Sequence, residues 1–464
     1  MKFGIYLEFG ISFYWGKETM KVTETLARYA LEASYRTFPG EVVHQAKRCF
    51  LDLIGVALGG SRQPLAKILL KTVREFGGNP QATVWGHGVK TSVAHAALVN
   101  GAMAHALDYD DTHVRGMGHP SAPLIPALLA VAEWKGASGK AALEAFIAGF
   151  EVETRIGEGM GVKHYNRGWH ATATFGRFGA AVAAGKLLGL DLEQMKQAMG
   201  LAGTQAAGLR LVFGTMTKPF HPGKSAFDGV LSAVLAQRGF TCAPNIIEGK
   251  KGYLEALGDD SRLEPMVKNL GKKYEVLNNT FKPFAACLFT HPTIDALIQM
   301  RSKYHLKPED VEEISCDVAK FCLDAAGQPD PKTALAGKFS IYYCAALALT
   351  EGVAGEDMFT DRKVLDPRMT ALRKRVKARG VPGYKDTEAK VTVTTKGGKA
   401  YSIYVDIPKG DPRNPPTDQE LEEKFRSLAP LVLSKSKTDR LVRTIWNLEK
   451  LGNIRQMIRL CYGK

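Results

Sequence analysis

Nothing in the 464 residues supplies the ~20 uninterrupted apolar positions that a bilayer-spanning helix requires; the longest apolar stretches are Ala- and Gly-rich and soon broken by charge. No membrane-crossing helix is expected. The seven cysteines (Cys49, Cys242, Cys287, Cys316, Cys322, Cys344 and Cys461) contain no C-x-x-C pair and are odd in number. They suggest neither a disulfide framework nor a zinc ribbon, and a reducing cytoplasm suits them. No G-x-G-x-x-G follows a strand pattern and no G-x-S-x-G occurs, which weakens nicotinamide-dehydrogenase and serine-hydrolase readings. Gly223-Lys224-Ser225 would end a phosphate loop only with glycine at 218, where Lys218 stands, so ATP binding by that loop fails. There is no fixed-period repeat and no low-complexity tract. With 45% hydrophobic and 23% charged residues, the chain is neither disordered nor collagen-like, and it is long enough for more than one core.

What is present is positive charge, unevenly placed. Residues 361–464 hold 24 Lys and Arg against 12 Asp and Glu, so +12 of the formal +15 lies in the last fifth of the chain. The run Arg373-Lys374-Arg375-Val376-Lys377-Ala378-Arg379 is either a nucleic-acid patch or a solvated helix face. No aromatic platform accompanies it, which favours the helix face, and no nucleic-acid partner is expected. Residues 1–21 are read as a loosely attached extension. Its aromatic start lacks an A-x-A cleavage site and makes a poor secretory signal, and Met20 offers an alternative start.

From Val22 to about residue 269, Ala/Leu/Gly-rich segments of helical period alternate with Gly/Pro breaks, and the β-branched alternation of strands is scarce. The texture changes near Leu270. Val311 to Val318 alternates like a half-buried strand, and Ala389–Thr395 and Ala400–Asp406 flank Lys396-Gly397-Gly398-Lys399 as a β-hairpin would. Thr417-Asp418-Gln419-Glu420 resembles a capping box, and helix returns from Leu441 to Tyr462. The expected fold is mainly α: a large all-helical domain (22–269, completed by 411–464) with a smaller α+β lid domain (270–410) inserted in it.

Three carboxylates and three imidazoles crowd between His105 and His119: Asp108, Asp110, Asp111, His105, His113 and His119. Such a cluster is costly in a core unless paired, so it marks a wetted helix end or a site. Asp108-x-Asp110-x-Thr112 also fits the D-x-D-x-T of aspartyl-phosphate phosphatases, although Gly101 to Ala106 makes a poor strand ahead of it. Metal binding by His105, Asp108, His113 and His119 is a further option, on a spacing that matches no standard ligand set. His170 falls at the N-terminal turn of an Ala/Gly-rich helix, either binding a carboxylate there or simply capping the helix. Lys218-Pro219-Phe220-His221-Pro222-Gly223-Lys224 reads as a rigid two-proline turn presenting Lys218, His221 and Lys224. Lys282-Pro283-Phe284 repeats the lysine–proline theme.

Together these segments resemble the MmgE/PrpD family, which includes 2-methylcitrate dehydratase, cis-aconitate decarboxylase and iminodisuccinate epimerase. The resemblance runs from about Val22 through Asn100-Gly101, Asp108 to His113, His119-Pro120-Ser121, Gly149 to Val152, Trp169 to Thr172, Gly200 to Gly208, Lys218 to His221, Lys282-Pro283-Phe284 and Lys338 to Tyr343. It implies the two-domain fold, a homodimer, catalysis without metal or organic cofactor, and a site between the domains lined by Asp108, Thr112, His119, His170, Lys218, Lys282 and Tyr343. Cys287 stands where the decarboxylase branch places a histidine, five residues after the lysine of the lid motif. With an ordinary thiol pKa of ~8.5 it is mostly neutral at pH 7 and points away from decarboxylation.

The chemistry that follows is proton transfer at a carbon beside a carboxylate. Charge builds on a group that is already anionic, so cations and donors must meet it. Lys218, Lys282 and His170 would do so, with Asp108 or His119 as base or acid and the other orienting it. Thr112 and Tyr343 would hold substrate, and Cys287 would lie beside it. The expectation is a cytoplasmic hydro-lyase acting on a hydroxylated di- or tricarboxylate such as 2-methylcitrate. An isomerase or decarboxylase of the same family, or a non-catalytic basic binding protein, stands as the alternative.

Overall fold

The computed structural model describes residues 20–463, so all but the last two residues of the expected N-terminal extension lie outside the described residues. Among the described residues, 21 α-helices accompany only small sheets. The chain is mainly α, with a smaller α+β part. Buried apolar side chains form two large clusters: one gathers residues from Val22 to Phe281 and again from Leu421 to Cys461. The other is drawn mostly from Ala285 to Val405.

Six helices of the first cluster frame the site: α1 (Gly40–Gly60), α2 (Val93–His105), α3 (Ser121–Lys135), α4 (Gly139–Met160), α5 (Ala171–Leu188) and α6 (Thr217–Gln237). Helices α2, α3 and α5 are Ala-rich and buried around most of their circumference, as expected of helices inside a bundle. Small residues let them approach closely. A Cβ on Gly101 of α2 would lie 2.8 Å from the Cα of Gly223 in α6, and one on Gly223 only 2.3 Å from the backbone oxygen of Leu98. This contact pulls the end of α2, with His105 and Asp108 beyond it, toward the start of α6, with Lys218 and His221. Because the clash is with backbone, Gly223→Ala is expected to cost about 1–3 kcal/mol and to lower the thermal midpoint. An unchanged midpoint would show that the crossing is looser than described.

Helix α6 corrects one expectation. The segment from Lys218 to Lys224 is not a two-proline turn but the first turns of α6, with Pro222 inside the helix. The first four N–H groups of a helix have no partner within it, so Pro219 gives up nothing there, and Pro222 gives up one bond.

The second cluster lies against a four-stranded sheet of β3 (Val311–Ala319), β4 (Val376–Val381), β5 (Ala389–Thr395) and β6 (Ala400–Val405), in the order β4-β3-β5-β6. Strands β5 and β6 form the antiparallel hairpin, β3 pairs antiparallel with β5, and β4 runs parallel to β3. A second correction falls here. The basic run is no helix face: a helix ends at Arg373, and Val376 to Arg379 opens the edge strand β4, where residues of period two alternate sides. Three of its five cations are matched, in Arg373–Asp330, Lys377–Glu313 at 2.5 Å and Arg379–Asp317 at 2.9 Å.

After the Pro-rich stretch, Thr417 caps helix α7 (Asp418–Leu428) with the full capping box. Leu421 and Phe425 of α7 lie in the first cluster, and Phe425 packs where Gly55 of α1 leaves room. No described helix is long and apolar enough to cross a membrane.

Candidate active site

Helix α2 ends at His105, and the chain turns through Asp108, whose φ of +50° is a left-handed value that aspartate tolerates better than most side chains. Three successive carbonyls of this turn are each taken by a buried lysine from a different segment. Lys338 donates to Leu107 O, Lys282 to Asp108 O at 2.8 Å, and Lys424 of α7 to Tyr109 O at 2.6 Å. Lys424 also reaches Asp52 Oδ1 of α1 at 2.6 Å and Lys282 O at 2.9 Å. The turn then leads into β1 (Thr112–His113), which pairs with β2 (Asn279–Thr280) just before Lys282. Asp111 accepts from Asn279 Nδ2 at 2.6 Å and from Ser121 at the start of α3. The turn is thereby fixed from three sides.

The turn opens onto a cavity lined by Asp108, Thr112, His119 and His170, with Lys218, Lys282 and Cys287 completing its polar face. Seven of the eight residues singled out in the sequence thus come together. Tyr343 does not. Its ring is fully buried in the second cluster, away from the cavity lining, and its hydroxyl donates to Met358 O at 2.9 Å. Phe213, Phe339, Leu288 and Phe289 form an apolar wall, with Lys218 Nζ 5.2 and 5.1 Å from the ring centroids of Phe213 and Phe339.

Asp108 is an anchor. Lys218 Nζ lies 2.5 Å and Lys282 Nζ 3.2 Å from its Oδ1. Burial alone would raise its pKa, but the two ammonium groups outweigh it and hold the carboxyl well below the usual range. A carboxylate so stabilised is a poor base, which favours His119 of the two residues that the sequence offered for that part.

Asp110 takes the orienting role. Both its oxygens lie 2.9 Å from His105 Nδ1, and Oδ2 lies 3.1 Å from His119 Nδ1, off the line of a straight hydrogen bond. Burial lowers the pKa of both rings; Lys218 adds to it at His105, which falls to about 3, and Lys282 and Lys218 add to it at His119. The rings are therefore neutral at pH 7 beside an ionised Asp110. With Nδ1 of His119 turned to Asp110, its Nε2 is left as the basic atom.

His170 precedes α5 but makes no side-chain cap; its Nδ1 instead lies 2.9 Å from His221 Nδ1. The capping alternative falls. Burial first, and Lys218 next, push its pKa well below the ordinary value. Cys287 is pushed up to about 11 by burial and by Asp108, so its thiol stays protonated. Thr112 lines the cavity, and its Oγ1 is buried without a hydrogen-bond partner.

The phosphatase pattern is overturned, because the residues before Asp108 are helical and two lysines occupy its carboxylate. His105, Asp108, Asp110 and His119 place one ligand atom each within 4.8 Å of one another, the spacing of a metal cluster. His113 is not among them; it sits 3.2 Å from Glu275. A cation at this cluster would meet two ammonium groups already on Asp108, so the donor set suits an anion in the cavity better than a metal beside it. The residues missed in the sequence are Asp110 as orienter, His221 behind His170, and Lys424 beneath the turn.

The family model for the MmgE/PrpD N-terminal domain matches residues 24–266, and that for the MmgE/PrpD C-terminal domain matches residues 284–450. A cis-aconitate decarboxylase-like protein, oryM, of Aspergillus oryzae is 28% identical over 96% of this chain and 98% of its own length. The cis-aconitate decarboxylase of Homo sapiens is 27% identical over 95% of each chain. A mitochondrial 2-methylcitrate dehydratase of Yarrowia lipolytica is also 27% identical, over 77% of this chain and 72% of its own.

Proposed function

Because the chain belongs to the MmgE/PrpD family, we propose that it is a lyase that labilises the C–H bond beside a carboxylate and eliminates water from a hydroxylated di- or tricarboxylate. One observation carries this reading: a neutral imidazole, His119, oriented by Asp110, lines the same cavity as Lys218 and Lys282.

A carbon acid of this kind needs a base unprotonated at working pH and cations where negative charge develops. His119 Nε2 accepts the proton, and the C–H electron pair becomes the new π bond. The C–O bond to the hydroxyl breaks, and the departing oxygen takes a proton to leave as water. The ammonium hydrogens of Lys218 and Lys282 not given to Asp108 hold the carboxylate, and Thr112 Oγ1 holds a second oxygen. Cys287, a neutral thiol, packs beside the substrate. The same reading carries a cytoplasmic homodimer that works without metal or organic cofactor.

Decarboxylation is the second reading. It is favoured by relatives named as decarboxylases that align over 95% or more of this chain, where the dehydratase aligns over 77%. In it a C–C bond breaks, CO₂ departs with a carboxylate held by the same lysines, and the carbanion takes a proton. Isomerisation shares the first proton abstraction. A panel of hydroxylated and unsaturated di- and tricarboxylates, followed in parallel for alkene absorbance and CO₂ release, separates the readings. Alkene formation from a hydroxylated acid without CO₂ is expected. CO₂ from an unsaturated tricarboxylate would select the second reading, and inertness toward the whole panel would overturn both.

A further inference from the structure

We propose that His170 and His221 form a two-imidazole relay that delivers solvent protons to the departing group or carbanion, with His221 as the positioning residue behind His170. The relay rests on the reading of the site as a polycarboxylate lyase, and it serves elimination and decarboxylation alike, since the departing oxygen of the one and the carbanion of the other each need a proton.

The geometry is specific. His170 lines the cavity, and its Nδ1 is 2.9 Å from His221 Nδ1, so one ring donates and the other accepts. With Nδ1 engaged, Nε2 is the only proton-carrying atom His170 can offer to the cavity. His221 does not line the cavity yet keeps 9% of its surface exposed, and its remaining proton-carrying atom is likewise Nε2. The pair therefore runs from the cavity to a second approach from solvent.

Its packing is equally constrained. His170 N donates to Gly208 O at 3.0 Å, and Gly208, at φ +128°, leaves 3.3 Å between its absent Cβ and the His221 ring. The neighbouring cations are themselves matched, Lys218 by Asp108 and Arg177 by Asp228 at 2.8 Å. Burial and those cations lower both imidazole pKa values, that of His221 to about 4. Neither ring is a ready source of protons as an imidazolium.

A relay through neutral rings removes that difficulty. Starting with the proton of His170 on Nε2 and that of His221 on Nδ1, His170 gives its Nε2 proton to the leaving hydroxide or the carbanion. His170 Nδ1 takes the shared proton from His221 Nδ1, and His221 Nε2 takes one from water. Each ring loses one proton and gains one, ending neutral as the other tautomer. In elimination the proton that His119 has removed neutralises the hydroxide so released to solvent; in decarboxylation, where no proton is removed, the departing CO₂ takes it up as bicarbonate. The pair returns to its starting tautomers when, in the emptied cavity, His170 Nε2 takes a proton from water, His221 Nδ1 takes back the shared proton and His221 Nε2 returns one to solvent.

The test uses the full chain. His221→Ala is expected to lower kcat at least 10-fold with KM within 2-fold, to enlarge the solvent deuterium effect on kcat, and to be rescued by added imidazole in proportion to its concentration. His221→Asn retains a donor for His170 Nδ1 but carries no proton through, so it should be as slow as His221→Ala. An Asn variant at wild-type rate, or an Ala variant slow but unmoved by imidazole, would reduce His221 to a structural support and overturn the relay. Ring-¹⁵N histidine NMR supplies a readout independent of turnover. A scalar coupling between the two Nδ1 atoms, lost in His221→Ala, is expected. Its absence from the wild type would overturn the relay whatever the substrate, whereas wild-type inertness toward polycarboxylates with the coupling present would sink the lyase reading and leave the shared proton standing.

Discussion

His119→Gln is expected to slow turnover by about 10²–10⁴-fold, the range general-base catalysis contributes, while changing KM little. In the proposed function His119 supplies the basic nitrogen, whereas Lys218, Lys282 and Thr112 hold the substrate, so losing the imidazole would remove chemistry and leave binding. Its lowered pKa adds a second expectation. Burial and the neighbouring ammonium groups keep the ring neutral, so the acid limb of kcat/KM in the wild type falls below the ordinary histidine value of ~6.5. Steady-state kinetics from pH 5 to 9 read both. A variant that keeps more than a tenth of wild-type kcat would remove His119 from the proton-transfer step.

Lys424→Met is the second large effect, and it acts on fold and turnover together. Lys424 lies far from the cavity in sequence, yet its ammonium group holds Tyr109 O, Lys282 O and Asp52 Oδ1 at once. Burial pushes Asp52 up and Lys424 down, so each buried charge depends on the other. Removing the lysine strands a buried carboxyl and frees two carbonyls of the segments that carry Asp108 and Lys282. A loss of about 3–5 kcal/mol follows from breaking such a pair from one side. Pairing Lys424→Met with Asp52→Leu should return much of the thermal midpoint, because no lone charge remains, but not kcat, because Tyr109 O and Lys282 O stay unclamped. Recovery of both would show that Lys424 serves stability alone.

The sequence made the helical part legible where composition left little choice. An Ala-rich segment such as Ala171–Leu188 has no polar face to turn outward, so it belongs inside a bundle. The hairpin at 389–405 and the capping box at Thr417 were equally plain, because turn glycines and a Thr/Glu pair at that spacing act locally. The misreadings share a cause, which is tertiary contact. Arg373 to Arg379 looked like a helix face until the parallel strand beside it imposed period two. Pro219 and Pro222 looked like a turn because the cost of proline at a helix start is nearly nil. Tyr343 followed the family motif, but its hydroxyl is spent on Met358.

The polar residues gathered around the cavity were visible as a crowd, though not their division of labour. Asp108 and Asp110 are alike in sequence and opposite in role, since two lysines from distant segments reach one and two imidazoles the other. One miss had a local signal. Lys424 stands among Leu421, Phe425 and Leu428 on the buried stripe of an amphipathic helix, where a lysine needs a partner. His221 stood out beside Lys218, but nothing local gives its place behind His170, which only the crossing of α2, α5 and α6 sets.

The most direct test of a cavity that loosens the hydrogen beside a carboxylate is to incubate the wild-type protein with its preferred hydroxylated polycarboxylate in D₂O and weigh the unreacted acid. Stereospecific uptake of a single deuterium at the carbon next to the carboxylate, abolished by His119→Gln, is the predicted result. Product formation with no deuterium in the recovered acid, and no primary isotope effect when that position is deuterated beforehand, would contradict it.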